Sequence, residues 1–161
     1  MLAVADAKGR VQFHDWQGRG RLTHVESVSC NADDVLCLSV DWSNRRGLHL
    51  CVLFAQLWVN PPAHLTTIQS SAQLVLSSSD GTLSTIGKGD AGMQVIDAWH
   101  AHDYEPWIAA FDCWHPAIVW SGGDDLRLKG WDIRTAAIDG PTFVNKRSFV
   151  VLYLLVPPFA R

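Results

Sequence analysis

Short runs of alternating apolar and polar residues, each broken by a tight polar turn, recur along the chain. One unit is found three times: LAVADAKGRVQFHDW from Leu2, QLVLSSSDGTLSTIG from Gln73 and AIVWSGGDDLRLKGWD from Ala117. In each, an apolar or small-residue strand enters a turn and an alternating strand leaves it. Asp80-Gly81 predicts a hairpin, because Gly adopts positive φ without steric cost. In the third unit Ser121 to Asp125 turn the chain, and Leu126, Leu128 and then Gly130-Trp131-Asp132 continue it. Strands joined by turns of this kind predict an antiparallel, all-β chain.

Superposing the turns pairs Gly9 with Gly81 and Gly81 with Leu126, which lie 72 and 45 residues apart. The second interval is that of a propeller blade, roughly 40 to 45 residues. The first is 27 residues longer, close to the length of the stretch from Gly47 to Ser71. That stretch holds the unpatterned run LHLCVLFAQLWV and the pair Pro61-Pro62, so residues 47–69 are expected to be an apolar insertion into a repeat. Without it, VLCLSVDWSNRR leads almost directly into SAQLVLSSSDG, strand into strand. A second apolar run, FVVLYLLV, ends at Pro157-Pro158. The two runs, Leu48 to Val59 and Phe149 to Val156, fall well short of the roughly 20 residues a spanning helix needs, and no membrane partner is expected.

Composition narrows the function classes. The 161 residues are 48% apolar and 18% charged, with 8 Trp, a balance suited to packing and foreign to a disordered tail. With 13 Lys+Arg against 16 Asp+Glu there is no basic excess for a phosphate backbone, so direct nucleic-acid binding is not expected. Cys30, Cys37, Cys51 and Cys113 form no CxxC pair and have no companion His at ligand spacing, so neither a metal nor another cofactor is expected. That cysteine usage, with no basic and apolar leader in the first eleven residues, predicts a cytoplasmic protein.

The third unit carries a WD-repeat signature: Ala101-His102 opens it and Trp131-Asp132 closes it 29 positions after His102. It is preceded and filled by a more specific stretch, AWHAHDYEPWIAAFDCWHPAIVWSGGDDLRLKGWDIRT. This stretch, with LAVADAKGRVQFHDW and VLCLSVDWSNR, resembles the WD-repeat diphthine methylesterase family of diphthamide biosynthesis. The resemblance covers residues 1–46 and 70–135. It implies a WD-repeat β-propeller of seven blades, of which this chain holds about three blades or partial blades. It also implies a carboxylic ester hydrolase that removes a methyl ester from methylated diphthine on translation elongation factor 2, without a cofactor. A non-catalytic protein-binding scaffold is the alternative, as is an inactive shortened form.

In WD repeats a His, a strand Ser or Thr, a turn Asp and the closing Trp commonly form a hydrogen-bonded stack. By position these are His102, Ser121, Asp125 and Trp131. The second unit keeps Asp80 but has Ile86 in place of the Trp, and the first has Lys8 in place of the Asp. Ester hydrolysis requires an activated water or a nucleophile with its base, plus donors to the oxyanion. Ser121 lacks the G-x-S-x-G elbow and is claimed by the stack. The catalytic candidates are therefore His100, Asp103, Glu105 and His115, with Trp107 beside them; packing and loop order are the competing reading.

After Thr135 the family-like pattern fades, and residues 136–161 are expected to be a divergent tail. With the insertion, this predicts a truncated or alternatively spliced form whose terminal blade faces are uncovered. The tryptophans, except Trp58 in the insertion, fall on or beside predicted strands and are expected to pack between blades.

Overall fold

The computed structural model describes residues 1–17, 20–32, 34–43 and 72–146. The expected insertion at 47–69, both long apolar runs, Cys51 and Trp58 lie outside the described residues. Among the described residues no helix is long and apolar enough to cross a membrane.

Among the described residues, eleven strands form three antiparallel sheets in chain order. The first is β1 (Leu2–Ala5), β2 (Arg10–Gln17) and β3 (Arg21–Ser29). The second is β4 (Cys37–Trp42), β5 (Leu74–Ser78), β6 (Thr82–Lys88) and β7 (Met93–His100). The third is β8 (Ile108–Phe111), β9 (Ile118–Gly122), β10 (Leu128–Asp132) and β11 (Phe143–Asn145). Each sheet is a meander, and the three are successive blades of a partial WD-repeat propeller. The described part of the expected tail continues the third blade: α1 (Ala136–Asp139) buries Ala136, and β11 supplies the outer strand. β11 is three exposed residues long, too short for alternation to reveal it.

Alternation places successive side chains on opposite faces of a strand, and a blade packs on both faces. Val11, Phe13 and Val28 of the first blade meet Leu74, Leu76 and Ile86 of the second. Val75, Leu83 and Trp99 of the second meet Phe111, Val119 and Trp131 of the third. β5 is buried along its whole length because its neighbours Leu74 and Val75 serve different interfaces. The innermost strands are tied across blades as well: Ala109 N–H donates to Ser39 Oγ at 2.8 Å and Phe111 N–H to Asp41 Oδ2 at 2.8 Å.

The three superposed turns share a backbone conformation. Gly9, Gly81 and Leu126 have φ of 69°, 88° and 57°. A carboxylate braces each turn: Asp80 accepts from Thr82 N–H, and Asp125 from Arg127 N–H. In the first turn, where Lys8 occupies that place, Asp6 instead accepts from Lys8 N–H and Arg10 N–H. The strands flanking residues 44–71 pair directly, Trp42 opposite Leu74, so β4 and β5 are neighbours in one blade.

The tryptophans divide. Trp99 and Trp131 are buried, and Trp42 and Trp120 half-buried, but Trp16, Trp107 and Trp114 are exposed, contrary to the expectation of packing. Proximity to a strand does not specify a face, and these three lie at strand ends or in turns. The outer faces of the first and last blades carry exposed Leu2, Val4 and Phe143.

Candidate functional site

β7 delivers His100 and then Ala101-His102 to one end of the third blade. There the chain is held by Gly81, whose carbonyl accepts from both Ala101 N–H and His102 N–H. His102 is thereby turned inward and is 1% exposed. Four side chains meet in a line: Trp131 Nε1–H donates to Ser121 Oγ at 2.8 Å, Ser121 Oγ lies 2.7 Å from His102 Nε2, and His102 Nδ1 lies 2.9 Å from Asp125 Oδ2. Burial holds His102 below the usual imidazole range despite the neighbouring carboxylate. The neutral ring that results assigns the proton to Nδ1, which donates to Asp125, and leaves Nε2 to accept from the Ser121 hydroxyl. Burial raises the Asp125 carboxyl, but the hydrogen bond from His102, the Arg127 N–H and the Lys129 ammonium outweigh it and the net shift is downward.

A fifth member joins this line. Lys129 is 8% exposed, donates to the Ala101 carbonyl, and places its ammonium 3.5 Å from Asp125 Oδ2. β10 alternation puts Lys129 on the same face as Trp131, a sign present in LKGWD, although lysines are seldom buried. In the second blade Leu76 and Ile86 stand where Ser121 and Trp131 stand in the third and pack in the inter-blade core, while Asn31 Nδ2 donates to Ser78 Oγ at 2.7 Å.

Both titrating members predict acid sensitivity. His102 has its pKa lowered on folding, so below about pH 6.5 the unfolded chain takes up a proton that the folded chain does not. Stability from this group is intact above that pH and declines as pH falls, by at most ~1.4 kcal/mol per unit. Asp125, also lowered, keeps its contribution above the ordinary carboxylate range near 3.8 and loses it below. Melting temperature is thus expected to be flat from pH 8 to 7 and to fall towards pH 5. The His102→Gln variant, though less stable, should show a shallower slope; an equal slope would rule out His102 as the titrating group.

Of the catalytic candidates, His100, Asp103 and Glu105 stand at one end of the blade and His115 at the other. β8 and β9 run antiparallel with Ile108 opposite Gly122 and Phe111 opposite Val119. His100, Asp103 and Glu105 precede the first pairing, whereas His115 lies in the turn beyond the second. That separation is about 10 Å of strand, so His115 is not brought to the other three. His115 and Trp114 N–H donate to Asp112 Oδ1, and Trp120 Nε1–H donates to Asp112 Oδ2, which makes this turn a braced connection. Desolvation opposes ionisation of Asp112, but these donors and the His115 charge hold its carboxyl below the usual value.

At the first end, Asp103 pairs with Arg127 at 3.0 Å, Trp107 Nε1–H donates to Asp124 Oδ1 at 2.8 Å, and the Glu105 carbonyl accepts from Asp124 N–H. These contacts join the β7–β8 loop to the β9–β10 turn. His100 and Asp103 also line a cleft of about 460 Å³ between β7 and α1, whose other walls include Trp99, Lys129, Trp131, Ala136, Ala137, Ile138 and Pro141. Sequence reading had no means to find this cleft, because it joins two blades. Ser121 is 0% exposed and engaged on both sides, so it offers no hydroxyl to a ligand. Among the described residues no three His, Cys, Asp or Glu side chains are placed to hold a metal ion.

No protein-family model matches the chain. Curated proteins do. The chain is 34% identical over 140 residues to diphthine methyltransferase of Homo sapiens, a match covering 83% of this chain and 27% of that protein. It is 28% identical over 137 residues to the diphthine methyltransferase homolog of Dictyostelium discoideum, covering 83% and 30%. It is also 28% identical over 134 residues to diphthine methyltransferase of Schizosaccharomyces pombe, covering 83% and 33%. Among solved structures, a chain in the crystal structure of the mitotic checkpoint complex superposes with a TM-score of 0.57 at 17% identity, over 89% of this chain and 33% of that one, and bears on the fold alone.

Proposed function

This chain belongs to the diphthine methyltransferase family, of whose curated members it spans roughly a quarter to a third, and from that premise we propose that it serves diphthamide biosynthesis by hydrolysing the methyl ester of methylated diphthine on translation elongation factor 2. The supporting observation is the relationship to proteins named for methyl chemistry on diphthine, read with the dense resemblance of residues 98–135. In the proposed reaction water adds to the ester carbonyl, the C–O bond to the methoxy group breaks, and methanol and the diphthine carboxylate result. A base takes the water proton and returns one to the leaving methoxide.

His100, at the rim of the cleft with Asp103, is the proposed base. Glu105 and Trp107 belong to the neighbouring loop and are proposed to meet the protein substrate on the same end of the blade. A loop surface on a rigid sheet suits a protein substrate. The substrate reaches the cytoplasmic chain as a folded protein, so no membrane or nucleic acid enters the scheme.

The test is methanol release from elongation factor 2 carrying methylated diphthine, incubated with the full 161-residue chain. Catalytic release that falls at least tenfold in His100→Gln is expected, in line with the roughly 10²–10⁴-fold contribution of general acid–base groups. Absence of methanol with the wild-type chain rejects the activity. A second reading, a non-catalytic scaffold, is favoured by one observation: Ser121, the hydroxyl nearest a buried His, is consumed in the stack. Stoichiometric capture of the same protein without turnover would select it.

A further inference from the structure

Superposing the three turns aligns the strands of successive blades. Leu2 and Val4 of β1 then occupy the places of Leu74 and Leu76 of β5, 72 positions on. Leu74 and Leu76 are 0% exposed, because the first blade covers them. Leu2 and Val4 are 41% and 42% exposed, on the face opposite Ala3 and Ala5, which turn inward to the second blade. The third blade shows the converse. Trp120 and Leu128 occupy the places of Val75 and Leu83, 45 positions earlier, which the third blade itself buries completely. Trp120 lies over Gly130 with the Phe143 ring against it, centroids 5.6 Å apart, and Phe143 is 45% exposed. The chain thus carries one uncovered face of each of the two kinds that its inter-blade interfaces join.

The polar groups of the two faces also match. Between the second and third blades, Ser39 and Asp41 accept from Ala109 N–H and Phe111 N–H of the innermost strand β8. In the third blade Ile108 and Ala110 stand in those two places, opposite Gly122 and Trp120 as Ser39 and Asp41 stand opposite Ser77 and Val75. A four-stranded blade laid on this face would lack the two hydrogen bonds that tie β8 to the second blade. The face suits a blade without such a strand. Among the described residues the first blade is of that kind, a three-stranded sheet in which β1 takes the place of β5.

We propose that a second copy of this chain covers these faces, the first blade of one copy seated on the third blade of the next, with Leu2 and Val4 against Trp120, Leu128 and Phe143. The contact continues the packing already present between the blades of one chain. It is heterologous, so each copy turns a different face to each neighbour. Removing these large apolar side chains from water drives the association.

The experiment is analytical ultracentrifugation of the full chain over a range of concentrations, with the variants Val4→Lys and Phe143→Lys. Each variant places a charge on one face and leaves the other intact. The wild type is expected to pass from one copy to two or more as concentration rises. Each variant alone should remain a single copy at tenfold the concentration of the wild-type midpoint. An equimolar mixture of the two should form a 1:1 dimer and stop there, because Val4→Lys keeps only its third-blade face and Phe143→Lys only its first-blade face. Circular dichroism establishes that each variant is folded, and Leu2→Lys and Leu128→Lys serve as the second pair where one is not. A wild type that stays a single copy throughout overturns the proposal. So does a folded variant that associates as the wild type does, which would place the contact on another surface, or a mixture that yields no 1:1 dimer.

Discussion

Asp125→Ala is expected to destabilise the chain by about 3–5 kcal/mol, the range found when one partner of a buried charge pair is removed. The Asp125 side chain is 2% exposed and stands between His102 and the ammonium of Lys129. Its loss leaves Lys129 buried and charged, with the Ala101 carbonyl and the face of the Trp131 ring as its remaining partners among the described residues, and leaves His102 Nδ1–H without an acceptor. It also removes the brace on Arg127 N–H in a turn whose Leu126 holds a φ of 57°. A domain's whole stability is about 5–15 kcal/mol, so much of the variant should be unfolded at 37 °C. Asp124→Ala, one residue away and exposed, should shift the urea midpoint far less, since it loses mainly the hydrogen bond from Trp107. Equal midpoints for Asp125→Ala and the wild type would show that the stack does not carry stability.

The strands, their order and the three turns were legible because alternation and turn chemistry are local. Gly9, Gly81 and Leu126, paired by superposing the turns, share positive φ, and β4 pairs with β5 across the long interval between them. The positions of the stack come from the WD-repeat resemblance, and the structure brings His102, Ser121, Asp125 and Trp131 within hydrogen-bonding range. Contacts between blades were not legible. Ser39 and Asp41 reach the backbone of β8 some 70 positions on, and Trp99 and Lys129 form the cleft from different blades. A separation of His115 from His100 was hidden for a related reason: fifteen residues of sequence contain one strand, and one strand carries the chain from one end of a blade to the other. Repeat position identifies structural residues better than it identifies a site, since a site draws on several repeats.

Gly81→Ala is expected to cost about 2–5 kcal/mol, from two sources that can be separated. Gly81 has a φ of 88°, a conformation that costs a residue with a Cβ roughly 1–2 kcal/mol. A Cβ there would also collide with the carbonyl oxygen of His102 and come within 2.9 Å of the His100 ring. Relief requires moving the very backbone that Gly81 anchors through its carbonyl to Ala101 and His102, and such overpacking adds about 1–3 kcal/mol. Gly20 isolates the first source, because it has a φ of 77° with nothing within 4 Å of its added Cβ. Gly20→Ala should therefore lose only about 1–2 kcal/mol in urea denaturation, with the difference from Gly81→Ala measuring the steric part. The steric part should also displace His102 from Ser121, so Gly81→Ala alone of the two should change the Trp131 indole resonance, whose N–H reports on that hydroxyl. Equal losses for the two glycine variants would mean that the His102 segment yields freely, and the line from Gly81 through His102 to Trp131 would then not act as one packed unit.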